Sequence, residues 1–229
     1  VVLNGLPINN SFTNDMHTKS LETLYDLSFQ AIIQKYTLDF KQAVAFEIMA
    51  SSFILKSLDT ENISNDVLQD LFQANNDHLH KYTCSLSGLK TYLTNKGANN
   101  NLIMFLSGMG GTGKSEVIKA FVTFAKGISY VFGWKYDNDT VKITALTGTA
   151  ACEIPNGKTL HSQVCLSSNI ITKGAKESWK STKVLVIDEI SFLDENNMKE
   201  LDKHIVRITH ISLGMGVEPT VNAKYEVLR

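Results

Sequence analysis

The chain has 229 residues, 43% of them apolar and 20% charged, with a formal net charge of −1. That is the composition of an ordinary globular protein with enough material for one large domain or two small ones. The charge balance excludes a globally basic nucleic-acid binder, so any such contact must come from a local groove.

Cys84, Cys152 and Cys165 are widely spaced and odd in number. This suits reduced thiols inside a cell rather than a disulfide framework, and Cys152 and Cys165 read as buried small apolar residues. No apolar run approaches the ~20 residues that span a bilayer, so no membrane partner is expected. No basic-then-apolar leader opens the sequence. The first residue is Val1 rather than Met, which reads as a missing N-terminus.

In chain order, residues 1–36 mix short apolar clusters (Leu21, Leu24, Leu27, Ile32, Ile33) with many polar residues, and read as loops and a peripheral helix. A stronger helix is predicted over 38–58, where Val44, Phe46, Ile48, Met49, Phe53, Ile54 and Leu55 recur at near-helical spacing behind Asp39 as N-cap. The polar stretch 59–83 reads as an inserted loop with a helical piece around Val67–Phe72. A short helix over Gly88–Leu93 and a turn at Gly97–Asn101 lead to the apolar run Leu102–Leu106, predicted as a strand. A helix follows with Val117, Ile118, Phe121, Val122 and Phe124 as its apolar face. Asp137-Asn138-Asp139 marks a turn, Val141–Leu146 a strand, and Pro155-Asn156-Gly157 another turn. A polar stretch carrying Lys173, Lys176, Lys180 and Lys183 precedes Val184–Ile187, whose β-branched run suits a strand buried on both faces of a parallel sheet. Asp194 is placed to cap a last helix through about Ile208. Strands alternating with helices predict a doubly wound α/β fold.

Between the Leu102–Leu106 run and its helix stands Gly108-Met109-Gly110-Gly111-Thr112-Gly113-Lys114-Ser115, with the G-x-x-x-x-G-K-[ST] spacing of a phosphate loop. The glycines let successive backbone N–H groups converge on one triphosphate, and the helix N-terminus adds partial positive charge. Lys114 reaches the outer phosphates, and Ser115 Oγ is a magnesium ligand. The expected ligands are therefore a nucleoside triphosphate and Mg2+. Downstream, the strand Val184–Ile187 ends in Asp188-Glu189. With a phosphate loop in the same domain, Asp188 is the expected magnesium-holding acid and Glu189 the base that orients the attacking water. Catalytic roles thus fall on Lys114, Asp188 and Glu189.

Two further segments carry hydroxyls and small residues: Thr144-Ala145-Leu146-Thr147-Gly148-Thr149-Ala150-Ala151 and Gly157-Lys158-Thr159-Leu160-His161-Ser162. Each alone reads more readily as a small-residue turn with a capped helix. The lysine series from 173 to 183 reads as a solvated face, with contact to DNA phosphates as the alternative. His78, His80 and Cys84 are loosely spaced like metal ligands but lack a fourth, and read as surface residues.

Gly-Gly-Thr-Gly-Lys-Ser, Thr-Gly-Thr-Ala-Ala, Thr-Leu-His-Ser and Ile-Asp-Glu-Ile-Ser together resemble the ordered motifs of the petite-integration-frequency (PIF-type) DNA helicases, RecD-like motors of superfamily one. Leu38-Asp39-Phe40-Lys41-Gln42 resembles their adenine-reading Q motif, and the wording around Phe105–Ala125 is also similar to Helitron-associated helicases. The resemblance covers about residues 38–208. It implies a P-loop NTPase with a RecA-like parallel sheet and flanking helices over 37–208, a peripheral segment over 1–36, and a divergent or truncated tail over 209–229. It implies ATP-driven DNA unwinding linked to repair, recombination and telomere maintenance, and, in a eukaryote, a nuclear or mitochondrial place. Gln42 would read adenine, and Thr147, Thr149, Thr159 and His161 would line a single-stranded DNA path, in a monomer.

The family's sensor motif Gly-Asp-x-x-Gln-Leu-Pro-Pro has no counterpart around 211–220, and Arg207 and Arg229 are the only arginines. The expectation is that this chain by itself hydrolyses ATP weakly or not at all, since hydrolysis needs charge stabilisation from across the cleft. Two rivals remain at this point: a non-catalytic nucleotide-binding remnant of a mobile-element helicase, and a P-loop kinase or unrelated ATPase.

Overall fold

The computed structural model describes residues 28–60, 86–95, 97–98, 102–153, 157–164 and 172–212. The helical piece at 67–72, the His78/His80/Cys84 group, the turn at Pro155-Asn156, Cys165, the tail beyond 212 and most of the 1–36 segment lie outside them. The described residues fall into two compact units, divided between Lys135 and Tyr136.

The first unit is helical: α1 (Phe29–Lys35), α2 (Phe40–Thr60), α3 (Leu86–Asn95) and α4 (Lys114–Val131). Along α2 the fully buried positions are Phe46, Ala50, Ser51, Phe53 and Ser57; Phe46, Ala50, Phe53 and Ser57 follow a four-, three-, four-residue spacing that puts one stripe against a neighbour. The neighbour is α4, which offers Val117, Ala120, Phe121, Phe124, Ala125 and Ile128. Edge-to-face rings knit the pair together: Phe53 on Phe121 at 5.9 Å, and Phe29, Phe46 and Phe124 in a mutual triangle of 5.4–5.9 Å. Each such ring pair contributes about 0.5–1.5 kcal/mol beyond burial. Val44, in the predicted apolar set, is instead 42% exposed. The Tyr36 hydroxyl meets Thr123 Oγ1 at 2.6 Å, holding the end of α1 to α4.

The predicted strand over Leu102–Leu106 is not formed; the run is without regular structure, and Ile103 and Phe105 are 87% and 72% exposed. A strand needs a ladder partner for its N–H and C=O groups, and the described part of this unit contains none.

Among its described residues the second unit holds a three-stranded parallel sheet in the order β2-β1-β3, with β1 (Val141–Ala145), β2 (Lys158–Thr159) and β3 (Val184–Asp188). Its helices are α5 (Gly148–Glu153), α6 (Leu160–Val164), α7 (Lys173–Lys180) and α8 (Glu195–Ser212), with a 3-10 turn at Ile190–Phe192. Leu160, Val164, Trp179, Leu201 and Ile208 form the core, with Leu185 and Ile187 of β3 packed on it. Trp179 Nε1 donates to Gln163 O at 2.9 Å, tying α7 to α6. As predicted, Asp194 caps α8, its Oδ1 accepting from the Asn197 N–H at 2.8 Å; the helix runs four residues past Ile208. Asp137 forms the predicted turn, accepting from the Asp139 N–H and from Thr140 Oγ1. β3 departs from expectation, since all five of its residues are only half-buried. Among the described residues it is paired on the β1 side alone. Cys152, read as buried, is exposed near the end of the short α5.

Candidate functional site

The residues predicted to form a phosphate loop lie in the first unit, between the end of the 102–106 run and the first turn of α4. Lys114 is the first residue of α4 and Gly113 its N-cap, with φ +74°. A left-handed backbone at that point costs a Cβ-bearing residue roughly 1–2 kcal/mol, and a Cβ there would also collide with the Gln42 amide. At Gly108 a Cβ would sit 2.6 Å from Thr112 Oγ1. The loop closes on itself: Thr112 Oγ1 donates to Met109 O at 2.8 Å, and Lys114 Nζ donates to Gly108 O at 2.8 Å and to Met109 O at 2.9 Å. Gly108, Gly110, Gly111, Thr112 and Ser115 are all solvent-exposed. Lys114 therefore holds neutral carbonyl acceptors at an open surface. An anionic acceptor in their place makes bonds roughly twice as strong. Gln42 belongs to the same cluster, its Nε2 donating to Thr112 O at 2.9 Å.

The remaining candidates lie in the second unit, at the carboxyl ends of its three strands. Ala145 at the end of β1 is in register with Asp188 on one side and Thr159 on the other. Parallel strands carry all their carboxyl ends to one edge, where ligands of open α/β sheets bind. Thr147 follows β1 and caps α5, its Oγ1 accepting from the Ala150 N–H at 3.2 Å. Thr159 ends β2 and likewise accepts from the Ser162 N–H at 3.3 Å, at the start of α6. Thr149 and His161 are exposed on the first turns of those two helices.

Asp188 ends β3, half-buried, and its Oδ1 accepts from the Glu189 N–H at 2.9 Å. Glu189 is exposed with φ +55°, a left-handed conformation that a glutamate holds at a cost of order 1–3 kcal/mol, as functional residues often do. Among the described residues no three His, Cys, Asp or Glu converge as a metal cage. Magnesium at a triphosphate needs none, because one hydroxyl, one carboxylate, phosphate oxygens and water complete its octahedron.

One group was missed by sequence reasoning. Lys142, in the middle of β1, has a fully buried side chain paired with Asp139. Its Nζ also donates to Ser178 Oγ and lies 5.7 Å over the Trp179 ring. Burial works to raise the Asp139 pKa, but the hydrogen bonds from Lys142 and Ser178 and the lysine charges prevail and hold it below the usual value. The available signal was Asp-x-x-Lys straddling a strand start, which is weak, because its other partners lie some 36 residues on.

The PIF1-like helicase family model matches residues 89–213. Over 118 residues, 47% of this chain, the sequence is 34% identical to an ATP-dependent DNA helicase PIF1 of Saccharomyces cerevisiae. It is 34% identical over 116 residues, 46% of the chain, to the ATP-dependent DNA helicase RRM3 of the same species. It is 33% identical over 110 residues, 42% of the chain, to the ATP-dependent DNA helicase PIF7 of Trypanosoma brucei brucei. The matched segments span only 13%, 15% and 10% of those relatives. No solved structure matches the chain.

Proposed function

The chain belongs to the PIF1-like helicase family, and on that premise we propose that it is the ATP-binding part of an ATP-dependent DNA helicase. The family carries the P-loop NTPase, RecA-like fold, to which the three-stranded parallel sheet and its flanking helices conform. The observation that carries the reading is the phosphate loop. Its glycines, its exposed backbone and Lys114 at the head of an 18-residue helix are the elements a triphosphate requires.

In this reading Gly108, Gly110, Gly111, Thr112 and Gly113 shape the backbone around the phosphates, Lys114 neutralises the outer two, and Ser115 Oγ is a magnesium ligand. Gln42 reads the adenine edge; its amide keeps a second N–H and a second lone pair for the base beyond those bonded in the fold. Asp188 is the acid that holds magnesium, which when bound would offset charge on the phosphates. Glu189, exposed on its strained turn, takes the proton of the attacking water. Thr147, Thr149, Thr159 and His161, at one sheet edge, offer hydroxyls, an imidazole and helix-start N–H groups to the phosphates of single-stranded DNA, largely without regard to sequence. A whole helicase of this kind would serve DNA repair, recombination and telomere maintenance. Among the described residues no helix is long and apolar enough to cross a membrane.

The test is titration of the folded chain with Mg-ATP, with and without magnesium, and with a labelled single-stranded oligonucleotide at low salt. Saturable, magnesium-dependent ATP binding together with oligonucleotide binding is expected. A folded chain that binds neither overturns the proposal.

A further inference from the structure

Helix α2 starts with a reciprocal pair of hydrogen bonds. The Gln42 N–H donates to Asp39 Oδ1 at 2.9 Å, and the Asp39 N–H donates to Gln42 Oε1 at 2.8 Å. This is a capping box with Asp as N-cap and Gln three residues on. It does more than satisfy two orphan N–H groups, because it fixes the carboxamide: with Oε1 anchored, Nε2 has one place to go. That place is Thr112 O, 2.9 Å away and 70 residues along the chain. Thr112 in turn donates through Oγ1 to Met109 O, the carbonyl that Lys114 Nζ also reaches.

The Thr112 carbonyl belongs to the Thr112–Gly113 peptide, which is trans. In a trans peptide the C=O and N–H point in opposite directions. Holding Thr112 O on Gln42 therefore aims the Gly113 N–H away from Gln42. Gly113, at φ +74°, is a residue that would tolerate the flipped peptide almost as well. Something outside the loop has to choose between the two orientations.

We propose that Asp39 and Gln42 form a brace that makes this choice, so that Asp39 is a positioning residue for triphosphate binding whatever base the nucleotide carries. The proposal rests on the reading of Gly108–Ser115 as the triphosphate site, and it gives Gln42 a task separate from reading adenine. A base contact affects ATP alone, whereas the brace affects every ligand that uses the loop, including one with no base. Charge alone predicts the opposite effect at Asp39, since removing a carboxylate near an anion site strengthens anion binding.

The experiment measures displacement of a fluorescent ATP analogue from the full chain by Mg-ATP, Mg-GTP and Mg-tripolyphosphate. The variants are Asp39→Ala, Asp39→Asn, Gln42→Ala and the double Asp39→Ala/Gln42→Ala, each checked by circular dichroism. Loss of one or two hydrogen bonds corresponds to roughly three- to tenfold, so Asp39→Ala and Gln42→Ala should weaken all three ligands by such a factor. Asp39→Asn keeps the acceptor and should bind at least as well as the parent. The double variant should be no weaker than Gln42→Ala, because the two residues act through one bond. Unchanged affinities in Asp39→Ala, or a loss in Gln42→Ala confined to ATP, overturn the brace while leaving the loop as the triphosphate site. Should Asp39→Ala fail to fold, the decision passes to Gln42→Ala and its base-free ligand. A parent that binds none of the three overturns the triphosphate reading itself.

Discussion

In the unit ending at Lys135 the candidate groups are one octapeptide, Gly108–Ser115, and Gln42 beside it, and the loop's shape follows from bonds among its own carbonyls, hydroxyl and lysine together with the one bond from Gln42 to Thr112 O. Beyond Tyr136 the candidates come from three strand ends, and their placement depends on the register of β2, β1 and β3. A site made by local backbone geometry tolerates changes in the surrounding core. One made by strand register is only as firm as the packing that holds the sheet. In the second unit that packing includes a buried cation, Lys142, bonded to Asp139 before β1 and to Ser178 on α7.

The sharpest break in the comparison comes from Lys114. Replacement by Ala removes the only ammonium of the loop, and charge-assisted bonds of this kind are worth about 1.5–3 kcal/mol each. Affinity for a fluorescent ATP analogue should fall on the order of 10- to 100-fold, with the thermal unfolding profile unchanged, because in the fold the amine bonds only exposed carbonyls. Parent-like affinity in Lys114→Ala would remove the octapeptide from the functional site.

The second unit should respond in the reverse sense, with a large change in stability. Asp139→Asn leaves Lys142 buried without a counter-charge. Breaking a fully buried pair costs about 3–5 kcal/mol, and since the Asp139 side chain is 34% exposed we expect about 2 kcal/mol. Lys142→Met removes the charge along with its need for a partner and should be far milder. Denaturant unfolding followed through Trp179 fluorescence, with Trp134→Phe as background, measures both. If Lys142→Met proved the more damaging of the two, the pin would not be electrostatic.

A smaller effect should appear with acid. The Asp139 pKa is lowered in the fold, so its contribution is present above the unfolded value of about 4 and is lost as pH falls through the lower folded value. Stability of the second unit should thus drop below pH about 4, and the drop should shrink in Asp139→Asn. Equal acid sensitivity in parent and variant would place the cause elsewhere.

These contrasts track what could be read from the sequence. The Gly108–Ser115 loop could be proposed as a phosphate site because its spacing lies in eight consecutive residues, and the Asp39 and Asp194 caps were legible for the same local reason. Leu102–Leu106 looked like a strand from composition, yet a strand is a relation between two segments and composition names only one. Lys142 was invisible because a lone lysine reads as solvent-facing. Its burial depends on Ser178 and Trp179, which the fold alone brings to it. Gln42 was legible as a motif residue, whereas its bond to Thr112 O spans 70 residues that no pattern connects.

The smallest expected effect concerns the sheet edge and single-stranded DNA. Thr147, Thr149 and His161 are exposed and Thr159 half-buried, and the Thr147 and Thr159 hydroxyls already accept the N–H groups that start α5 and α6. Each hydroxyl can still donate to a phosphate oxygen, but these are neutral groups and release few counterions. Binding should therefore be weak, with a shallow salt slope and little dependence on sequence. Thr159→Ala/His161→Ala should lower affinity for a labelled oligonucleotide only a few-fold, about 1 kcal/mol, and leave the salt slope almost unaltered. Lys173→Ala/Lys176→Ala on α7 supplies the contrast. Should those lysines touch phosphates, affinity falls and the slope drops by about one per contact; as a solvated face they change neither. Fluorescence anisotropy at two salt concentrations separates the cases. If the threonine–histidine variant bound like the parent while the lysine variant did not, the DNA path would run along α7 rather than over the strand ends.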